Sequence, residues 1–393
     1  MGSLDPFRPD FPLEEGKRAA FAASTPAAFA ASPFYRSHGI ALDRWLRAVR
    51  SGEPRNRRAE RARDDRLRLV HWNIQQGKAW VPLAEALDRE PRLRDADIWT
   101  LNEVDIGTAR SENRNVVVEI ADRLDLEWVF VANYLELTKG LGTDRLMPGE
   151  NEIGLHGLAI LSRWPIREAA AGEIPECHDY FRFIEEKRYG CRRLLWARIE
   201  HPSGPFVVAT THLEVRNTPD CRAQQMRAAL EWIPTGPAWF AGDWNTNTFR
   251  RRGRIQQAGE FLRLQRTPPD EIDRQLADPR RREPLLDLVE EAGFRLAGWN
   301  DGTPTARQVL SGVEELERFP AFLRDAVTAR FRLAERTLRM RLDWIASRGP
   351  WEPLEGEYGA WTLPSVGPEG TAASDHAPIG IGAIWTKSSD PVG

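Results

Sequence analysis

Short apolar runs recur along this chain, and several of them end on Asn, Asp, Glu or His. Leu67-Arg68-Leu69-Val70-His71-Trp72 passes into Asn73-Ile74, Asp97-Ile98-Trp99-Thr100-Leu101 into Asn102-Glu103, and Phe206-Val207-Val208-Ala209-Thr210-Thr211 into His212-Leu213. Pro237-Ala238-Trp239-Phe240 leads into Ala241-Gly242-Asp243-Trp244-Asn245. Further on, Arg341-Leu342-Asp343-Trp344-Ile345 carries an acid inside an apolar run, and Ser374-Asp375-His376-Ala377-Pro378-Ile379 sets an acid beside a histidine just before the last run. Such runs predict strands. More strands are expected near Trp128 to Ala132, Leu158 to Ser162 and Arg193 to Glu200. Helices are expected at Ala41 to Val49, Val81 to Arg92, Asn115 to Leu124, Pro219 to Trp232 and about Pro320 to Met340. Strands that alternate with helices, and also follow one another directly, predict two packed sheets with helices outside.

In an extended chain residues i and i+2 point to the same side. Asp243 and Asn245 are therefore placed to face one site, with Gly242 allowing backbone or ligand to come close. Together the six segments deliver Asn73, Glu103, His212, Asp243 with Asn245, Asp343, and Asp375 with His376. Phosphoester hydrolysis asks for such a set: a cation to neutralise charge, a base for the attacking water, and donors for the transition-state oxygens. Mg²⁺ takes oxygen ligands and needs only one or two carboxylates, a demand that Glu103 and Asn73 meet. With no Cys at metal spacing, the histidines read as phosphate donors rather than zinc ligands. Each residue alone has an ordinary reading: Glu103 a solvated loop acid, His212 a core-edge histidine, Asp343 a partner for Arg341, Asp375 a cap. All of these would have to hold together at six ordered places.

The motifs Trp72-Asn73-Ile74, Leu101-Asn102-Glu103-Val104, Thr211-His212-Leu213, Gly242-Asp243-Trp244-Asn245, Arg341-Leu342-Asp343-Trp344 and Ser374-Asp375-His376 occur in one order over roughly residues 66–386. In this the chain resembles the endonuclease/exonuclease/phosphatase superfamily of Mg²⁺-dependent phosphoesterases. Gly157-Leu158-Ala159-Ile160-Leu161-Ser162-Arg163-Trp164-Pro165-Ile166 is similar to that family's central strand. The resemblance implies a mixed α/β fold, a four-layer α/β/β/α sandwich of two mainly antiparallel sheets flanked by helices. It implies Glu103 as the principal ligand of Mg²⁺, with Mn²⁺ as the alternative ion, and Asn73 and Asp375 near the metal. It further implies Asp243 as the base for an in-line water, Asn245 as a positioning amide, and His212 and His376 as donors to the phosphate. Asp343 would hold His376, since an imidazole that must donate from one nitrogen is commonly fixed by a carboxylate on the other.

Landmarks of particular branches are missing. The acid stands in Asn102-Glu103-Val104 rather than Gln-Glu-Thr, and Met340 rather than Trp precedes Arg341, unlike abasic-site endonucleases. Arg341-Leu342-Asp343-Trp344 stands where inositol-polyphosphate 5-phosphatases carry Pro-Ala-Trp-Cys-Asp-Arg. The expected activity is a metal-dependent phosphodiester hydrolase, with a phosphomonoesterase on a sugar, inositol or lipid head group, or a non-catalytic binding module, as alternatives. The partner is a phosphoester, either a small molecule or nucleic acid, and the oligomeric state is left open.

Composition narrows this only slightly. Lys plus Arg number 55 against 58 Asp plus Glu, and a net charge of −3 gives no global pull toward polyanions. Arg250-Arg251-Arg252-Gly253-Arg254 and Arg280-Arg281-Arg282 lie in an Arg-rich insertion at about 248–284, and a second insertion spans about 312–340. The apolar stripe Leu323, Val327, Phe331, Ala334 and Leu338 defines its helix. These arginines are either a basic lip, for a polyanion or an anionic lipid surface, or a solvated face balanced by nearby acids. The Trp residues in the runs read as core. Cys177, Cys191 and Cys221 cannot all pair, so a reducing, cytoplasmic compartment is expected. No run reaches the roughly 18–20 apolar residues of a membrane span, and neither a signal peptide nor a myristoylation motif is expected at the start. Residues 1–65 read as an extension with short helices, 66–386 as the catalytic domain and 387–393 as a flexible tail.

Overall fold

The computed structural model describes residues 5–55, 66–250, 267–309, 337–367 and 373–386, with positions 252, 256, 259, 260, 262, 263, 266 and 370 between them. In chain order its strands are β1 (Arg50–Gly52), β2 (Arg66–Asn73), β3 (Ile98–Ile106), β4 (Glu127–Glu136), β5 (Leu155–Ser162), β6 (Ile166–Glu173), β7 (Arg188–Gly190) and β8 (Arg193–Ile199). They continue as β9 (Phe206–Thr211), β10 (Ala238–Asp243), β11 (Ala306–Val309), β12 (Thr337–Met340), β13 (Asp343–Arg348), β14 (Trp351–Pro353), β15 (Trp361–Thr362) and β16 (Ile379–Trp385). One sheet runs β1-β4-β5-β3-β2-β16-β14, with β7 on β4 and β15 on β16; the other runs β13-β10-β9-β8-β6. Only β2 with β3 and β9 with β10 are parallel in these two sheets. The mainly antiparallel expectation is met.

Period-2 burial makes the layers. Along β2, Leu67 and Leu69 pack between the sheets against Ile98, Leu158, Val208 and Trp239, while Val70 and Trp72 face the opposite way. That outer face is covered by helices through Leu83, Leu87, Val117 and Ile120. Helices Pro219–Glu231 and Leu285–Glu291 cover the second sheet's outer face, where Met226, Leu286 and Val289 meet Phe240 and Trp344. Two sheets and two helical layers result.

The segment read as an extension is packed into the first sheet. Helices Leu13–Ala22, Pro26–Ala30 and Pro33–Arg47 bring Phe29, Phe34, Leu42 and Trp45 into the cluster that contains Trp72 and Trp99. β1 extends the edge of β4, with Arg50 opposite Phe130. The helix expected at Ala41 begins eight residues earlier, because Ser32 Oγ accepts the Tyr35 N–H at 3.1 Å and Pro33 occupies the first helical position. Pro91 similarly breaks the expected Val81 to Arg92 helix into Trp80–Arg89 and Pro91–Arg94.

Three further differences come from tertiary contacts. β6 was not expected, since Arg167-Glu168-Ala169-Ala170-Ala171 lacks β-branched residues; its pairing with β8 supplies the order. Thr337–Met340, the end of the expected Pro320 to Met340 helix, is strand β12 paired with β11, and Leu338 packs with Phe249, Ile272, Leu276 and Leu342. The rest of that helix, its stripe from Leu323 to Ala334, Arg251, Arg254 and the tail 387–393 lie outside the described residues. Finally, Cys177 and Cys221 form a disulfide with Cα atoms 6.4 Å apart, which removes the ground for inferring a reducing compartment. Burial pushes the Cys191 thiol up to about 12. Among the described residues no helix is long and apolar enough to cross a membrane.

Candidate functional site

The face between the sheets is apolar along most of each strand and turns polar at one end. On β2 it reads Leu67, Leu69, His71, Asn73; on β9, Phe206, Val208, Thr210, followed by His212; on β10, Trp239, Ala241, Asp243. β13 enters the same end with Asp343, directly opposite Asp243 in the antiparallel register. The polar ends of two sheets thus meet around one cleft of about 240 Å³, lined among others by Glu103, His212, Asp243, Asn245, Asp375 and His376.

Asp243 is the hub. Its Oδ2 accepts from Asn73 Nδ2 at 3.0 Å and lies 3.4 Å from His212 Nε2 and 3.7 Å from His376 Nε2. Oδ1 accepts the Asn245 N–H at 3.0 Å, and the Asp243 N–H donates to Asn102 Oδ1 at 2.8 Å. Burial drives the Asp243 carboxyl up to about 7, although the His376 charge opposes it. A carboxylate of that basicity suits proton removal near neutral pH.

Glu103 sits on β3 where the register with β5 shifts, and its φ of 55° places it in the left-handed region. Asn245 has φ 50°. Left-handed backbone at a non-glycine residue costs roughly 1–2 kcal/mol, and two such residues facing one cleft mark stored strain at this end of the fold. Asn73 Nδ2 also donates to Glu103 Oε1 at 3.1 Å, and Gln76 donates to Glu103 Oε2. Asn73 Oδ1 accepts the Gln75 N–H. The amide nitrogen of Asn73 therefore holds the two carboxylates, and its oxygen is turned to the backbone. Asn245 Nδ2 donates to Leu213 O at 2.9 Å. Asp375 is exposed at the rim.

Asp343 and His376 form a buried pair, Oδ2 to Nδ1 at 2.8 Å. Asp343 Oδ2 also accepts from Thr305 Oγ1 at 2.5 Å, and Oδ1 faces His71 Nε2 at 3.2 Å. Burial would raise the Asp343 carboxyl, but His376 and His71 outweigh it and hold it well below the usual range. Burial likewise disfavours a charged His376, and the Asp343 and Asp243 carboxylates overcome this, pushing its pKa well above normal. His212 goes the other way: burial, then Arg192, push it well below normal. Asp243, Asp343 and His376 also present ligand atoms within 4.8 Å of one another. Asp343 is spent on three partners, however, so the trio reads as a hydrogen-bonded relay rather than a cation box.

Arg341, the alternative partner for Asp343, instead pairs with Asp301 at 3.2 Å. The sequence reading passed over His71, Thr305 and Asn102. His71 stands two residues before Asn73, and that spacing was the available signal. Asn102 is buried and ties the sheets, donating to Thr210 Oγ1 at 3.0 Å as well as accepting from Asp243. The cleft is also lined by Tyr180, Glu186, Arg188 and Arg192, from the segment between β6 and β8. Arg250 in the Arg-rich insertion is exposed and pairs with Asp220 at 2.9 Å.

Gly242 has a steric duty here, because a Cβ on it would lie 2.1 Å from Thr211 O on the parallel neighbour β9. Gly242→Ala is expected to force β10 from β9, costing roughly 1–3 kcal/mol of stability and separating Asp243 from His212. Urea unfolding would measure the first effect; an unchanged midpoint would show that β9 yields freely.

The model of the endonuclease/exonuclease/phosphatase family matches residues 70–376. No curated protein matches the chain. Similar solved structures include an endonuclease/exonuclease/phosphatase from Beutenbergia cavernae DSM 12333, 17% identical over 81% of this chain and 72% of that one, with TM-score 0.48. The human Nocturnin catalytic domain with bound sulfate anion is 16% identical over 87% of this chain and 98% of its own, with TM-score 0.45. A humanized D. rerio TDP2 is 16% identical over 81% and 99%, with TM-score 0.42. The family match spans the six motifs from β2 to His376 and accords with the two helix-flanked sheets, so the chain belongs to the endonuclease/exonuclease/phosphatase family.

Proposed function

We propose that this protein is a metal-dependent phosphodiester hydrolase in which Asp243 takes a proton from an attacking water. The observation that carries the reading is the convergence on Asp243 Oδ2 of Asn73, His212 and His376 nitrogens within 3.0–3.7 Å. A base raised by burial, with two imidazoles beside it, is arranged for a phosphoryl centre rather than for a structural ion pair. His376, kept cationic by Asp343, donates Nε2–H to a non-bridging oxygen. His212, kept neutral by burial, donates a single N–H to another. Asn245, anchored through its amide nitrogen, offers its oxygen to orient the water.

Glu103, with Asp375 at the rim, fits a hard cation: the donors are oxygens, and few carboxylates suffice for Mg²⁺ or Mn²⁺; Asn73, expected near the metal, steadies Glu103 through its amide nitrogen, its oxygen being held by the Gln75 N–H. Bound there, the ion would neutralise phosphate charge. The second reading, a phosphomonoesterase on a sugar, inositol or lipid head group, is favoured by the cleft volume of about 240 Å³, which suits a head group better than a duplex. A non-catalytic binding module is disfavoured by the basicity of Asp243.

A screen separates these. Purified protein should hydrolyse bis-aryl phosphates faster than monoaryl phosphates with Mg²⁺ or Mn²⁺ and lose that activity with chelator. DNA, RNA and phospholipids in the same screen assign the substrate class. Faster monoester turnover would favour the second reading, and no turnover on any phosphoester would overturn both.

A further inference from the structure

A second carboxylate–histidine pair faces the same cleft and has no part in the chemistry above. His156 on β5 is 3% exposed and lines the cleft with Glu103 and His212. Its Nδ1 lies 2.7 Å from Asp105 Oδ1, the residue opposite it in the β3–β5 register. Asp105 in turn accepts from Arg110 Nε at 2.6 Å and NH2 at 3.0 Å, and from Thr108 Oγ1 at 2.6 Å. Nδ1 is therefore the nitrogen that carries a proton toward Asp105. His156 Nε2 has no hydrogen-bond partner among the described residues. A buried imidazole fixed at one nitrogen and open at the other, on a cleft wall, is built to exchange a hydrogen bond with a ligand.

Its place relative to Asp243 says which part of the ligand. Across the first sheet at this end, the strand order β16-β2-β3-β5 sets out His376, Asn73, Glu103 and His156 in that sequence. Asp243 touches the His376 and Asn73 end. In-line displacement puts the attacking and leaving oxygens on opposite sides of phosphorus, so the leaving group lies toward β5.

We propose that His156 is the proton donor to the leaving oxygen, an inference that rests on the phosphoesterase reading. The water oxygen bonds to phosphorus while its proton passes to Asp243. The P–O bond to the leaving group breaks with its electron pair on the leaving oxygen, and the Nε2 proton of His156 goes to that oxygen. The ring is left neutral, with Nδ1–H still on Asp105.

The test compares two diesters, methyl 4-nitrophenyl phosphate and methyl phenyl phosphate, in the parent protein, His156→Gln and His156→Asn. Nitrophenolate leaves without protonation; phenolate needs it. Both variants should stay within about threefold of the parent on the nitrophenyl ester and fall by about 10² on the phenyl ester, the lower end for loss of a general acid. Because the readout is a ratio within one preparation, a partly unfolded variant does not mimic it. Equal losses on both esters, or none, would overturn the assignment of His156 while leaving the hydrolase intact. A parent protein inert toward both esters would overturn the phosphodiesterase reading, and this inference with it.

Discussion

Asp243→Asn is expected to cut turnover by roughly 10²–10⁴, the usual cost of losing a general base, with the Mg²⁺ requirement unchanged. The amide keeps the shape and can still accept from Asn73 and from the Asn245 backbone, so the variant removes basicity more than structure. Glu103→Gln should behave differently. It weakens a charged oxygen ligand, so its activity should recover partly as Mg²⁺ is raised. Steady-state rates across a Mg²⁺ titration decide between the two roles. Equal, metal-insensitive losses in both variants would show that neither assignment is right.

The second large effect concerns stability. Arg110 is buried between Asp105 and Glu136, with Nε 2.6 Å from Asp105 and NH2 3.1 Å from Glu136. Arg110→Met should cost about 3–5 kcal/mol, because it breaks a buried ion network and leaves Asp105 with only His156 and Glu136 with only Arg188 as charged partners. At about 2.1 cal/mol/K per residue this corresponds to roughly 4–6 °C in Tm for a chain of this length. Asp105 has a folded pKa below its unfolded value of about 3.9. Its contribution is therefore fully present above that unfolded value and is lost as pH falls toward the depressed folded value. The gap between parent and variant should shrink on acidification, because without Arg110 burial raises the Asp105 carboxyl and the folded variant takes up its proton before the parent does. Urea unfolding at several pH values measures it; a gap that grows on acidification would contradict the ionised network.

The site proved legible through a simple periodicity. Leu67, Leu69, His71 and Asn73 occupy one face of β2, and the change from apolar to polar along that face is visible in the letters alone. The same holds for Trp239, Ala241 and Asp243. Partner choice was less legible. Asp343 had Arg341 two residues away as a candidate, yet it pairs with His376 and His71, while Arg341 turns to Asp301. Side chains i and i+2 share a face without touching, and the cross-strand and cross-sheet neighbours that do touch come from distant sequence.

Local chemistry along the chain determined the strand ends, the caps and the polar tips of the inter-sheet face, because these depend on a few consecutive residues and on period 2. Ser32 before Pro33 stops one helix from starting later, and Pro91 splits another. Tertiary structure alone decided the rest. It ordered the Ala-rich β6 against β8, joined Cys177 to Cys221 across 44 residues, and made the helical N-terminal segment an edge and a cover for the first sheet. It also set His156 on Asp105 at the cleft wall. Each of these depends on which strands become neighbours, a choice made by the shared burial of many weak apolar contacts over the whole sandwich rather than by any one segment.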